Sequence, residues 1–364
     1  MSTTGQETPR RGGPSNERNV HLRLADVAER AGVSMATASK ALNGRGTLRP
    51  GTRAKVLSAA EELGFVPNAL ARNLLRGRSF TVGLIASDIV GRFSIPVLLG
   101  VEDTLGAGQI AVIFCDGRGD PIREGHYVRS LLSRRVDGII VAGGQADPRP
   151  PLGGAVPVPV VYAWTPSAAP EDASVVPDHE AGAYAAVRHL LMTGRRTVGH
   201  VTGPRHFGPV ELRAKGALRA LAEEGLGVAG PGVLYGDWSE AWGRQAAAVL
   251  ARACPGLDAV FCGNDEIARG VADGLHDLGR DIPDDVALIG FDNWETMSAH
   301  ARVPISSVDM DIHEIGRKAA QCLLNAIDGH GAHSTYFQPC RLVPRESTGI
   351  STTLRRASSY QPPA

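Results

Sequence analysis

Polar and aromatic residues recur in this chain directly after short apolar runs. Ser87-Asp88 follows TVGLIA with Phe93 close behind, Trp164 follows PVVYA, Asp237-Trp238 follows VLYG, Asn264-Asp265 follows AVFCG and Asp292-Asn293 follows ALIGF. Carboxylates and amides form paired hydrogen bonds with hydroxyls, and a flat ring covers the apolar face of a sugar. The set therefore suits a polyhydroxylated ligand, and a purine would use much the same amides and rings. Each residue also has a plainer place: Asp265 and Asp292 fit as caps of the segments that follow them, and Trp164 fits a core or an interface.

Catalytic signatures are missing from the sequence. It contains no G-x-x-x-x-G-K-[ST] loop, no G-x-S-x-G elbow and no H-E-x-x-H or C-x-x-C pair. His126, His200 and His206 lack partners at metal-ligand spacing, and the five dispersed cysteines read as buried thiols of a reducing compartment. Neither a cofactor nor a metal is implied, and an enzyme would need an acid/base pair or nucleophile that this pattern does not supply.

The elements that must position these residues alternate regularly. Beyond residue 80, strand-like TVGLIAS, IAVIFC, DGIIVAG and PVVYAW are separated by helix-like PVLLGVEDTLGAG and EGHYVRSLLSRR, and a second succession starts near Asp178. A βαβ succession of this kind makes a parallel sheet covered by helices, an α/β fold. Two such halves imply two subdomains with a cleft between them. In open α/β sheets the ligand site lies beyond the carboxyl ends of the strands, where the residues above are found.

A different pattern occupies the N-terminal part. In LRLADVAERAGVSMATASKALN, residues 22–43, an apolar stripe at Leu24, Val27, Ala28 and Ala31 makes one amphipathic helix. Gly32 ends it, Val33 plugs the corner, and Ser34 caps a second helix that buries Ala38, Ala41 and Leu42. That is a helix-turn-helix, whose second helix would present Met35, Ala36, Thr37, Ser39 and Lys40, flanked by Ser34 and Asn43, to a major groove. Apolar Met35 and Ala36 suit thymine methyls, and Lys40 suits a guanine edge or a phosphate. A third helix begins at Pro50, buries Val56, Leu57, Ala60 and Leu63, and stops at Gly64.

Charge separates the same two regions. Residues 1–80 hold 13 Lys and Arg against 6 Asp and Glu, while residues 81–364 hold 25 against 32, so overall neutrality conceals a basic head on an acidic body. A head of that sign neutralises phosphates, and the body does not adhere to them. After Pro67, the short segment NALARNLLRG joins Arg72 and Arg76 to Leu74 and Leu75, a basic stretch with apolar wedges suited to a minor groove. Its candidate contacts are Asn68, Ala71, Arg72 and Leu74. It is too short for a stable isolated helix, below roughly 12 residues, and reads equally as a solvated linker without DNA.

The runs LADVAERAGVSMATASKALNG and TRAKVLSAAEELGFVPNALARNLLRGRS closely resemble the headpiece and hinge of the LacI/GalR family of bacterial transcriptional repressors. The resemblance continues through VDGIIV at 136–141, GNDEIARG at 263–270, IPDDVALIGFDN at 282–293 and LVPREST at 342–348, and covers roughly residues 22–350. It implies a periplasmic-binding-protein-like body, with Leu74 wedged into the operator centre. It also implies that Arg213, Asn264 and Asp292 hydrogen-bond an effector while Trp238 and Phe93 stack on it, with Asp265 and Trp164 beside them. Ala38 and Lys40 stand where the family more often has valine and arginine, and Arg23 replaces its usual Thr or Ser cap; these departures bear on which operator is read.

The expected organisation is a disordered tail at 1–20, a helix-turn-helix domain at 21–67, a hinge helix at 68–79, a body at 80–350 and a flexible tail at 351–364. Within the body, one subdomain takes about 80–177 and 309–335, the other about 178–307 and 336–350. The polar first residues have no apolar h-region, no 18-residue apolar run exists, and a transport solute-binding protein would have no use for residues 22–78. The expected function is a cytoplasmic, sequence-specific repressor of carbohydrate genes that binds a palindromic operator as a homodimer and is released by a sugar. A nucleobase corepressor is the alternative. The C-terminal LRRASSYQPPA lacks leucine heptads, so a dimer is expected rather than a tetramer.

Overall fold

The computed structural model describes residues 22–43, 46–65, 78–88, 91–144, 147–153, 156–331 and 334–349. It divides into two compact units, Met1–Ser79 and Phe80–Ala364. The expected hinge contacts at Asn68, Ala71, Arg72 and Leu74 and both tails lie outside the described residues.

In the first unit, α1 (Leu24–Ala31) ends at Gly32, whose φ of 65° is left-handed and therefore favours glycine. Arginine offers no acceptor at the Arg23 cap, so the reverse half of a capping box replaces it: the Arg23 amide donates to Asp26 Oδ2 at 2.6 Å. The Ser34 side chain caps α2 (Met35–Leu42) by accepting from Thr37 N at 3.2 Å. Pro50 opens α3 (Pro50–Leu63). Val27, Ala28, Ala38, Ala41, Val56, Ala59 and Ala60 form the buried core. The expectation that Leu57 is buried is incorrect, for it is 48 % exposed. A stripe anchored on Val56 continues through positions 59, 60 and 63, which turns Leu57 outward and brings Ala59 inward.

The second unit contains two six-stranded sheets. Successive elements are β1 (Thr81–Ala86), α4 (Ser94–Gly106), β2 (Ala111–Asp116), α5 (Pro121–Ser133), β3 (Gly138–Ala142), β4 (Val160–Ala163) and β5 (Ala173–Pro177). The chain then enters the second sheet through α6 (His179–Met192), β6 (Val198–Thr202), α7 (Gly208–Ala222), β7 (Leu234–Tyr235), α8 (Glu240–Ala253), β8 (Ala259–Cys262), α9 (Asp265–Asp277), β9 (Ala287–Phe291), α10 (Glu295–Ser298) and β10 (Ser306–Asp309). It returns through α11 (Ile312–Ile327) and β11 (Thr335–Gln338), and finishes in the second sheet with β12 (Arg341–Val343).

The strand orders are β11-β5-β4-β3-β1-β2 and β12-β10-β9-β8-β6-β7. Every pairing is parallel except β10 with β12. Strands β3 and β5 are buried along their whole length, as strands covered on both faces must be. The last crossing falls after Gln338, because β11 pairs with β5 through Gln338 and Pro177; the 335/336 division read from the sequence lies inside that strand. Each sheet changes winding direction beside its β1-like strand, β1 in one and β6 in the other, so two switch points face a common cleft. No helix among the described residues is long and apolar enough to cross a membrane.

Candidate functional site

A cavity of about 250 Å³ lies at these strand ends. Arg92 and Phe93 follow β1, Gly144 follows β3, Trp164 follows β4, Phe207 follows β6, Trp238 follows β7, Asn264 and Glu266 follow β8, Asp292 follows β9, and Pro209 and Arg213 enter from α7. Six residues singled out from the sequence, Phe93, Trp164, Arg213, Trp238, Asn264 and Asp292, line this one space.

Arg213 is 4 % exposed and holds the cavity together. Its guanidinium donates to the Gly263 carbonyl, to Asp292 Oδ1 at 3.4 Å and to His179 Nδ1 at 3.4 Å, and lies 3.8 Å over the Phe291 ring. Burial lowers its pKa and Asp292 opposes that shift; an arginine stays charged through it. Burial also pushes the His179 pKa well down, with Arg213 adding to the effect, so the imidazole is neutral and accepts from the guanidinium.

Asp292 is shared between the two halves of the body. Arg92, from the β1 side, donates to its Oδ2 at 2.5 Å. The Arg92 guanidinium sits 4.1 Å over Trp294 and 4.9 Å over Phe93, and Phe93 stacks on Trp164 at 4.4 Å with an interplanar angle of 14°. A continuous stack, Trp164-Phe93-Arg92-Trp294, thus joins the two halves of the body, and its first three members line the cavity together with Trp238 and Phe207. Asp292 and Trp164 have left-handed backbones, φ 98° and 72°, which costs of order 1–3 kcal/mol at a non-glycine residue and is retained where surrounding structure imposes it.

Asp265 is not brought to the cavity, contrary to its assignment as an effector ligand. It is fully buried, its Oδ1 accepting from Ser307 Oγ at 2.6 Å and its Oδ2 from Trp294 N at 2.6 Å. The cap of α9 is instead Asn264, through Ile267 N at 2.8 Å. Burial, reinforced by the Asp292 charge, pushes the Asp265 carboxyl up to about 8. Its place is behind the site, pinning the loop that carries Asp292 and Trp294.

Sequence reasoning missed Arg92, Phe207 and Glu266. An aromatic near a strand end was available as a signal for Phe207, whereas Arg92 finds its partner 200 residues away and no local spacing reveals it. In the first unit, Met35, Ala36 and Lys40 are exposed on α2, Thr37 and Ser39 are half-buried, and Asn43 Nδ2 donates to Ser39 Oγ at 3.2 Å.

Comparison with known proteins agrees with both parts. Residues 23–68 match the model of bacterial regulatory proteins, lacI family, and residues 187–348 match the periplasmic binding protein-like domain. Catabolite control protein A of Priestia megaterium is 34% identical over 333 residues, covering 90% of this chain and 100% of that protein. The HTH-type transcriptional regulator CelR of Thermobifida fusca is 32% identical over 337 residues, covering 90% and 96%. Among solved structures, the lac repressor dimer bound to operator and the anti-inducer ONPF superimposes with a TM-score of 0.74 at 25% identity, and a CelR–cellobiose complex with 0.63 at 29%; each covers 90% of this chain and 99% of the other. These relatives are transcriptional regulators, not enzymes. With a helix-turn-helix unit ahead of a two-sheet binding body, this chain belongs to the LacI family of bacterial regulatory proteins.

Proposed function

We propose that the chain is a cytoplasmic repressor of carbohydrate-utilisation genes, a homodimer that binds a near-palindromic operator and is released by a small sugar. The observation that carries the sugar assignment is the cavity itself, lined by the aromatic rings of Phe93, Trp164, Phe207 and Trp238 together with carboxylate, amide and guanidinium groups. Its volume lies just below the roughly 300–1,000 Å³ of drug-sized sites, which favours a single ring. Related chains include the regulator CelR, solved in complex with cellobiose, and a ribose operon repressor, alongside repressors named PurR.

On the DNA side, Ser34, Met35, Ala36, Thr37, Ser39, Lys40 and Asn43 would contact the major groove, and Asn68, Ala71, Arg72 and Leu74 the minor groove. One such unit reads a half-site, so a near-palindrome requires two. A dimer face is supported by exposed Ile95 and Leu99 on α4, beside Phe114 on edge strand β2, since an apolar edge strand is normally covered. Ligand in the cleft shifts the two halves of the body, alters the spacing of the two hinges and weakens operator binding. Such coupling is typically about 1–3 kcal/mol and reciprocal. A thermal-shift screen of aldoses and nucleobases on the full chain tests the ligand class: aldose binding is expected, and binding of nucleobases alone would overturn it.

A further inference from the structure

The groups that first draw attention in the cavity are already engaged within the protein. Arg213 is bonded to Gly263, Asp292 and His179. Asp292 accepts from both Arg92 and Arg213, and the Asn264 carbonyl oxygen is used by the helix cap. Glu266 differs. Its Oε2 receives one long hydrogen bond, 3.4 Å from Asn264 Nδ2, and its Oε1 has no partner among the described residues, although the side chain lines the cavity.

Resting on the carbohydrate reading above, we infer that Glu266 is the specificity-determining residue of the cleft, accepting hydrogen bonds from two adjacent free hydroxyls of a neutral, single-ring saccharide. An ionised carboxylate is acceptor-only, with two parallel oxygens that match a vicinal pair of O–H donors. The Nδ2 of Asn264 keeps a second N–H for the same ring. Charge in the cavity walls balances, Arg92 and Arg213 against Asp292 and Glu266, so neither an anionic nor a cationic ligand finds a surplus to meet. The aromatic stack and Trp238 then cover the ring faces. Burial raises the Glu266 pKa, so the carboxylate that accepts these bonds is lost earlier on acidification than in water.

The test uses the full chain, a panel of neutral aldoses with their singly deoxygenated analogues, and adenine, guanine and hypoxanthine, with affinity read by calorimetry. Wild type should bind an aldose, and removal of one hydroxyl of a vicinal pair should weaken it. Glu266→Ala should lose roughly 10- to 100-fold in affinity, the span of a hydrogen bond to a charged group. Glu266→Gln should lose less. In Glu266→Ala the sensed deoxy analogue should bind as well as its parent, a result that a merely structural role for Glu266 would not produce. Affinity of wild type should also fall with acidification more steeply than that of Glu266→Gln, in which only Asp265, behind the site, and the remaining groups still titrate. If an aldose binds wild type and Glu266→Ala alike, the assignment to Glu266 fails and the carbohydrate reading stands. If only nucleobases bind, or nothing in the panel does, the carbohydrate reading fails and the Glu266 inference with it.

Discussion

The outward face of α2 and the wall of the cleft are both built from residues at the ends or on one side of regular elements, yet they are committed differently. On α2 the hydrogen bonds are local: Ser34 with Thr37, and Ser39 with Asn43. Met35 and Lys40 are exposed. In the cleft the strongest ties run between elements, as Arg92 and Arg213 are bound to Asp292. A surface poised for DNA keeps its side chains free, whereas a ligand pocket is first a structural network and only secondarily a set of open valences.

Predicted effects follow that contrast in size. Arg213→Ala should be the most damaging change, because it empties a packed buried site, leaves the Gly263 carbonyl without its side-chain donor and reduces Asp292 from two cations to Arg92 alone; a loss of about 3–5 kcal/mol is expected in urea unfolding. A loss below about 1 kcal/mol would show that the cleft network is not structural. Next comes acid. Burial takes the His200 imidazole down to about 4 from 6.5, despite its hydrogen bond to the Phe261 carbonyl. Between those values the unfolded chain binds the proton and the folded chain does not, so this group removes roughly 3 kcal/mol of stability as pH drops from 6.5 towards 4, against the opposite effect of the Asp265 carboxyl, which the folded chain protonates first. Unfolding curves of His200→Phe should lack this His200 component of the slope.

Changes on α2 should be smaller and confined to DNA. Exchanging Lys40 should alter preference at one operator position by about 1–3 kcal/mol if it reads a base edge, measured with a set of single-substitution operators. Equal weakening on every operator, with a shallower salt dependence, would move it to a phosphate. Ser34→Ala removes the α2 cap and should cost the N-terminal unit about 1 kcal/mol without affecting ligand binding by the body.

What the sequence reveals follows the same division. The helix-turn-helix is legible because its determinants lie within a few residues of each other: an apolar stripe, a left-handed glycine and a serine cap. Leu57 is the exception, since the stripe that runs through Val56, Ala59, Ala60 and Leu63 turns it outward, and apolar character alone does not say which of two neighbours leads the stripe. The parallel sheets are legible from buried runs such as DGIIVAG, and the cavity from the residues that follow them. Partnership is not. Asn264 and Asp265 are neighbours in sequence, but the turn from β8 into α9 sends one to the cavity and the other beneath it. Arg92 resembles any loop arginine until Asp292 folds against it, and Glu266 resembles an acidic residue placed to favour a helix N-terminus.

On the proposed function, control of DNA binding by the N-terminal unit rests on occupation of the cleft. Its most direct test is anisotropy of the full chain on a duplex from its own upstream DNA, with and without a saturating sugar identified by thermal shift. Operator affinity should fall by roughly 5- to 150-fold on adding the sugar, and Glu266→Ala should bind the duplex like wild type yet require far more sugar for release. Operator affinity that does not change when the cleft is saturated would rule out that control.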